Sequence, residues 1–333
     1  MSASRWTSLL TPAMVGAAGL VLAACSNDGP TGTPSSASVA PQRFTVTAAN
    51  YTAASTATQQ RAPKVFETIQ RLESKLFGQR SSNINANLIQ SPYDLTNNGG
   101  PVVESATHWN LYINCPTTPA QCWGTGALTP KTFLTDFNTS SMLDIAGQYL
   151  GEIPDGHFGT VNEMSTTMTF ATDTVFMSDL FAILHSASQT TMKSGYNQIY
   201  SVFLPAGTDM CMDAFTCYSP DNFNTFVFCA FHGAVDFGPH WHVLYTVQPY
   251  QFVPGCAAPN QPRVIDATAS TLEHETTELI TDPDLDAWFN DLTGNEIMDL
   301  CFTFRNPEQI GGHVYVVQDV YSNTVHACTD GAF

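Results

Sequence analysis

The stretch Ser270-Thr271-Leu272-Glu273-His274-Glu275-Thr276-Thr277-Glu278-Leu279-Ile280-Thr281-Asp282-Pro283 carries two patterns at once, one apolar and one ionisable. Ser270 and Glu273 have capping-box spacing, and Pro283 disfavours helical backbone at Asp282, so the spacing predicts a helix of about three turns. Leu272, Thr276, Leu279 and Ile280 form its core stripe. His274, Glu275, Glu278 and Asp282 share another face, because residues three and four apart are neighbours on a helix.

That face reads H-E-x-x-E, one residue from the H-E-x-x-H of zinc peptidases, in which the outer residues bind zinc and the middle Glu activates the metal-bound water. Carboxylate oxygen is an accepted zinc ligand, so Glu278 can stand where the second His would be. A third ligand is expected from Gly294-Asn295-Glu296-Ile297-Met298-Asp299-Leu300-Cys301. Glu296 falls where the glutamate-ligand zinc peptidases keep theirs, and Asp299 is the alternate. In this reading His274, Glu278 and Glu296 or Asp299 hold zinc, and Glu275 is the general base. The competing expectation is an ordinary solvated acidic face.

Two further clusters admit either a metal or a packing role. His240-Trp241-His242 places two imidazoles on one side of a strand, with His232 upstream, a spacing that suits a metal but equally suits hydrogen bonding. Asp282, Asp284 and Asp286 alternate like the start of a calcium loop, yet Ala287 and Thr293 occupy the positions where an EF-hand needs Gly and Glu. Calcium is therefore the alternative ion only in an irregular site. There is no G-x-S-x-G, phosphate-binding Gly loop or glycosidase motif.

Around this helix the chain alternates strand and helix signals. Pro63 to Arg80 has helical apolar spacing, and Thr129 to Leu150 and Asp173 to Gln189 read as helices. Pro101 to Asn114, Ile199 to Leu204, Phe226 to Phe231 and Val243 to Val247 read as strands. The expected fold class is α/β or α+β, a mixed sheet flanked by helices, disulfide-stapled, with a zincin-like active helix.

The N-terminus bounds the setting. Arg5 and the apolar stretch Met14 to Ala24 read as an export signal over residues 1–24, too short to span a bilayer. It ends in Leu22-Ala23-Ala24-Cys25, which resembles a bacterial lipobox, so Cys25 is the expected lipidation site. Residues 25–43 are a Ser/Pro/Gly-rich tether, and residues 44–333 are expected to form one globular domain, with 44–95 as an N-terminal extension. A net charge of −18 with 11 Lys and Arg disfavours nucleic acid as a partner. The expected associations are a membrane, reached through the lipid, and extracellular protein or glycan. Eight cysteines follow Cys25, an even number that suggests disulfides outside the cytosol. Sequential pairing would give Cys115/Cys122, Cys211/Cys217, Cys229/Cys256 and Cys301/Cys328, one of 105 connectivities.

The order of Ile199 to Leu204, Cys229-Ala230-Phe231-His232-Gly233, the aromatic run from Trp241 to Val247, Cys256, and Thr281-Asp282-Pro283 followed by an aromatic residue and Cys301 is similar to the EXORDIUM or phosphate-induced protein family. Those are secreted plant cell-wall proteins with bacterial relatives. The resemblance covers roughly residues 100 to 330 and implies secretion and overall architecture. Since plant members lack the H-E-x-x-E residues, it implies a metal site only for the bacterial kind. The expected function is a secreted, lipid-anchored zinc metallopeptidase acting on extracellular protein, or else a non-catalytic surface protein with a structural metal or acidic cluster.

Overall fold

A computed structural model describes residues 41–57, 64–67 and 93–331, less 116, 117, 152, 153, 155, 258–261 and 302. The export signal, Cys25, most of the tether and most of Pro63 to Arg80 lie outside the described residues. Ala40–Phe333 form one compact unit.

The β-branched and aromatic runs assemble a seven-stranded mixed sheet from β1 (Gln42–Arg43), β2 (Lys64–Glu67), β3 (Thr107–Ile113), β4 (Val161–Thr166), β5 (Gln198–Phe203), β6 (Phe228–Asp236) and β7 (His242–Gln248). Their spatial order is β1-β4-β3-β5-β7-β6-β2. The first five in that order run parallel, and β6 is antiparallel to both β7 and β2. Residues 64–67 are thus strand, contrary to the helix expected from Pro63 onward. Their backbone pairs with β6, and sheet pairing has overridden the local helical spacing.

Among the described residues, five helices of eight or more residues flank the strands: α1 (Ala48–Ser55), α2 (Pro130–Phe137), α3 (Ser141–Leu150), α4 (Met177–Thr191) and α5 (Val264–Thr281). The expected single helix from Thr129 to Leu150 is two. Ser140 accepts a hydrogen bond from the Leu143 N–H at 3.1 Å, an N-cap that opens a second helix after Asn138. The expected helix from Asp173 begins only at Met177, because Thr174–Phe176 pair as a strand with Asp209–Cys211. All four sequential cysteine pairs are bonded: Cys115–Cys122, Cys211–Cys217, Cys229–Cys256 and Cys301–Cys328.

Both faces of the sheet are covered, so its strands alternate between two cores. Leu111, Ile113, Tyr200, Val202, Val243, Tyr245 and Val247 face α4. Tyr112, Ile199, Phe203, Ala234 and Leu244 face α2, α3 and α5. The second face also carries a polar line. Register pairs Glu163 with Asn110, Asn110 with Ser201, Ser201 with Thr246, and Thr246 with His232. These residues form one cross-strand row on the side where α5 packs.

Helix α5 is 18 residues long, two turns longer at its start than Ser270 suggested. Arg263 is the N-cap, and its guanidinium bonds Asp266 at 2.8 and 2.5 Å, placing a carboxylate in the first turn where the helix dipole favours it. Ser270 is a buried mid-helix residue, so the expected capping box does not form. One side of α5 rests on β6 and β7, and a hairpin of β8 (Phe304–Ile310) and β9 (His313–Gln318) covers the other. Every residue from Ile265 to Thr281 is buried, which rules out a solvated acidic face. Thr268 and Thr281 meet this burial by bonding back into the helix: Thr268 Oγ1 donates to Val264 O at 2.8 Å and Thr281 Oγ1 to Thr277 O at 3.0 Å.

Leu279, fully buried in the α5 core, is a sensitive reporter of this docking. Leu279→Ala is expected to cost about 2–5 kcal/mol in chemical denaturation, the range for deleting a buried leucine side chain. A loss below about 0.5 kcal/mol, normal for a surface substitution, would contradict the two-sided burial of α5.

Candidate metal centre

Three segments bring ionisable side chains to one buried region. Helix α5 supplies His274, Glu275 and Glu278. Strand β6 supplies His232. The loop after α5 supplies Glu296 and Asp299, and its shape is local: Asn290 Oδ1 accepts from the N–H groups of Leu292 and Thr293 at 3.1 and 3.0 Å, while Gly294 adopts φ 73°. Gly is suited there because left-handed backbone costs it little. The Cys301–Cys328 disulfide ties the end of this loop to the C-terminal strand.

His274 has a defined orientation. Gln318 Nε2 donates to Met298 O at 2.8 Å and to Cys301 O, so its Oε1 must accept from His274 Nδ1–H at 3.1 Å. That tautomer turns His274 Nε2 toward Glu278 Oε1 at 3.1 Å and Asp299 Oδ1 at 3.7 Å. A neutral imidazole would aim a lone pair at two carboxylate oxygens, so the arrangement requires either a proton or a metal ion on Nε2. Ligands about 2.1 Å from a tetrahedral zinc sit about 3.4 Å apart, which the two distances bracket.

His232 occupies the centre of a second group. Its Nδ1 lies 3.0 Å from Glu275 Oε2 and 3.6 Å from Glu278 Oε2, and its Nε2 lies 3.5 Å from Glu296 Oε1. His232, Glu275 and Glu278 could hold a cation, as could His274, Glu278 and Asp299. Of the two expected third ligands, Asp299 joins His274 and Glu278, whereas Glu296 sits across His232. Glu275 is also placed differently from a peptidase base: it hydrogen-bonds His232 instead of standing clear of the ligands.

Burial and mutual charge set the protonation of the cluster. Burial would push His274 down, but the Glu278 carboxylate, with Glu275 and Asp299, raises it to about 10. Burial also opposes charge on His232, which Glu296 and Glu275 nevertheless hold well above its ordinary value. Burial raises Glu275, and it raises Glu296 to about 8 even beside His232.

The other candidates are spent elsewhere. His240 is exposed, while His242 pairs with Asp236 at 2.7 Å and Asp284 at 3.2 Å, a hydrogen-bonding role. Asp282 Oδ1 accepts from the Ala287 N–H at 2.6 Å and Asp284 Oδ2 from the Tyr196 hydroxyl at 2.5 Å, and the three alternating aspartates are not among the groups of described residues whose donor atoms converge. The residue underrated by sequence was His232. Its signal was a lone ionisable side chain inside the apolar run of β6. Gln318, which fixes His274, had no signal of its own.

The pH dependence of stability follows from these groups. The folded chain keeps protons that the unfolded chain has released, on Glu296 from its ordinary range up to about 8 and on His274 from its ordinary range up to about 10. Stability of the metal-free protein should therefore fall as pH rises from about 5 to about 10. A cation replaces those protons, so its stabilisation should grow over the same interval. Thermal unfolding from pH 5 to 9, with chelator or with zinc, is expected to show a widening gap in Tm; a gap independent of pH would contradict this electrostatic account. No family model, curated protein or solved structure matches the chain, and the site therefore rests on its own geometry.

Proposed function

We propose that this protein is a zinc-dependent hydrolase of the bacterial cell envelope, acting on extracellular protein and tethered through an acylated Cys25. The observation that carries the reading is the His274 Nε2, Glu278 and Asp299 convergence, a three-residue donor set of the kind that leaves zinc a further position for water or substrate. Asp299 is the partly exposed member, its side chain 21% accessible against 1% for His274 and Glu278. The further position is therefore read as facing the Asp299 side. Zinc bound there would polarise a substrate carbonyl and acidify its own water. His274 and the two carboxylates would hold the ion, and Gln318 would keep Nε2 directed at it.

The setting agrees with four disulfides, which fit an oxidising, extracytoplasmic environment. No helix among the described residues is long and apolar enough to cross a membrane. The lipobox-like Leu22 to Cys25 supplies the proposed anchor, and the resemblance of its spaced motifs to the EXORDIUM family, read from the sequence alone, fits an extracellular role. Deep burial of His274 and Glu278 favours a second reading, a closed structural ion in a non-catalytic surface protein.

One preparation separates these readings. The full chain, extracted from membranes with detergent, is expected to contain zinc and to hydrolyse an unfolded protein substrate. Activity should disappear with chelator, return with zinc, and fall to background in His274→Ala. Zinc retention without hydrolysis of any protein substrate would favour the structural ion, and absence of bound metal would remove both. Cys25→Ala should move the protein from the membrane to the soluble fraction; persistence in the membrane would contradict the lipid anchor.

A further inference from the structure

Glu278 lies between two ligand groups that share no other residue. Its Oε1 faces His274 Nε2 at 3.1 Å, and its Oε2 faces His232 Nδ1 at 3.6 Å. We propose that the centre holds two divalent cations bridged by the Glu278 carboxylate. One sits on His274, Glu278 and Asp299, and the other on His232, Glu275 and Glu278. The inference rests on the metal-centre reading above and adds a second ion to it.

A buried atom outside the shared carboxylate points to that second ion. Glu275 Oε1 is buried without a hydrogen bond, and the residue is 0% exposed. Glu275 Oε2 lies 3.0 Å from His232 Nδ1, a separation that suits two ligands of one ion, and its unused Oε1 can complete a bidentate grip. Glu296 lies on the opposite, Nε2 side of His232, where a carboxylate commonly accepts from a ligating imidazole and fixes its tautomer. With Nε2–H directed at Glu296, the Nδ1 lone pair faces the second ion.

Charge also favours more than one ion. Glu275, Glu278, Glu296 and Asp299 would carry four negative charges when ionised, and the buried Asp282 acts on Glu296 as well. A single divalent ion leaves at least two of the four to be neutralised by protons. The donors are imidazole and carboxylate without thiolate, a set that suits zinc, manganese or ferrous iron. Paired ions of this kind lie about 3.5–4 Å apart and can clamp both the attacking and the leaving oxygen of a hydrolysed bond. The first ion, on the partly exposed Asp299 side, would face substrate, and the second, among wholly buried ligands, would lie beneath it.

The test counts ions. The full chain, stripped with chelator and reloaded with Zn²⁺, is expected to bind two ions by elemental analysis. His232→Ala and the isosteric Glu275→Gln should each bind one, and Glu275→Gln serves alone if His232→Ala does not fold. Loaded with Mn²⁺, the unmodified chain should give an exchange-coupled electron paramagnetic resonance spectrum, and Glu275→Gln an uncoupled one. One Zn²⁺ per chain, unchanged in Glu275→Gln, would overturn the second ion while leaving the single-zinc reading intact. Two ions without coupling would overturn the Glu278 bridge, and no bound ion would overturn both readings together.

Discussion

A helix with no solvent face must find a buried partner for every ionisable side chain it carries, and α5 carries Glu273, His274, Glu275 and Glu278 in six residues. Leu272, Leu279 and Ile280 each contribute about 1.5–3 kcal/mol on burial. An effective penalty of several kcal/mol per buried ion is of the same size or larger. Apolar packing alone therefore does not explain why this sequence is tolerated at the centre of the fold. Glu273 is answered by the Gln318 N–H at 2.7 Å. The remaining three face each other, His232 and the loop carboxylates, an arrangement that protons stabilise and that a cation could hold as those protons leave.

The rest of the structure serves that helix. The sheet presents its polar row, ending in His232, on the side where α5 packs, while the opposite face is closed by aromatic and aliphatic side chains against α4. Hairpin β8–β9 seals the other side of α5 and contributes Gln318, whose amide touches the loop backbone and the His274 ring. The Cys301–Cys328 bond holds the same loop from its far end. Asp299 is therefore positioned by the hairpin, the disulfide and its own N–H, which donates to Glu278 Oε1 at 3.2 Å.

Local signals in the sequence reached about as far as one helix and one loop. H-E-x-x-E spacing identified His274 and Glu278 as neighbours because that relation is intrinsic to a helix, and the even count of later cysteines anticipated the disulfides. The mixed sheet with helices followed from alternating short patterns. What local pattern could not provide was the long-range partner. His232 reaches Glu275 across 43 residues and Gln318 reaches His274 across 44. The start of α5 lies upstream of Ser270 because Ser270 and Glu273 have the spacing of a cap but sit mid-helix, and Glu275, the expected base, bonds a strand partner that no local pattern reveals. Amphipathic spacing also suggested a solvated side that the β8–β9 hairpin in fact covers.

The central claim is that cations, and not protons alone, occupy the space between His274, Glu278 and His232. A crystal structure of the zinc-loaded full chain, with diffraction recorded on both sides of the zinc absorption edge, tests it most directly. The account predicts anomalous density about 2.0–2.2 Å from His274 Nε2 and Glu278 Oε1, with Asp299 in the same coordination sphere. Zinc-edge density absent from this cluster, with His274 Nε2 still in hydrogen-bond contact with Glu278, would show a protonated ion-pair network and contradict the account.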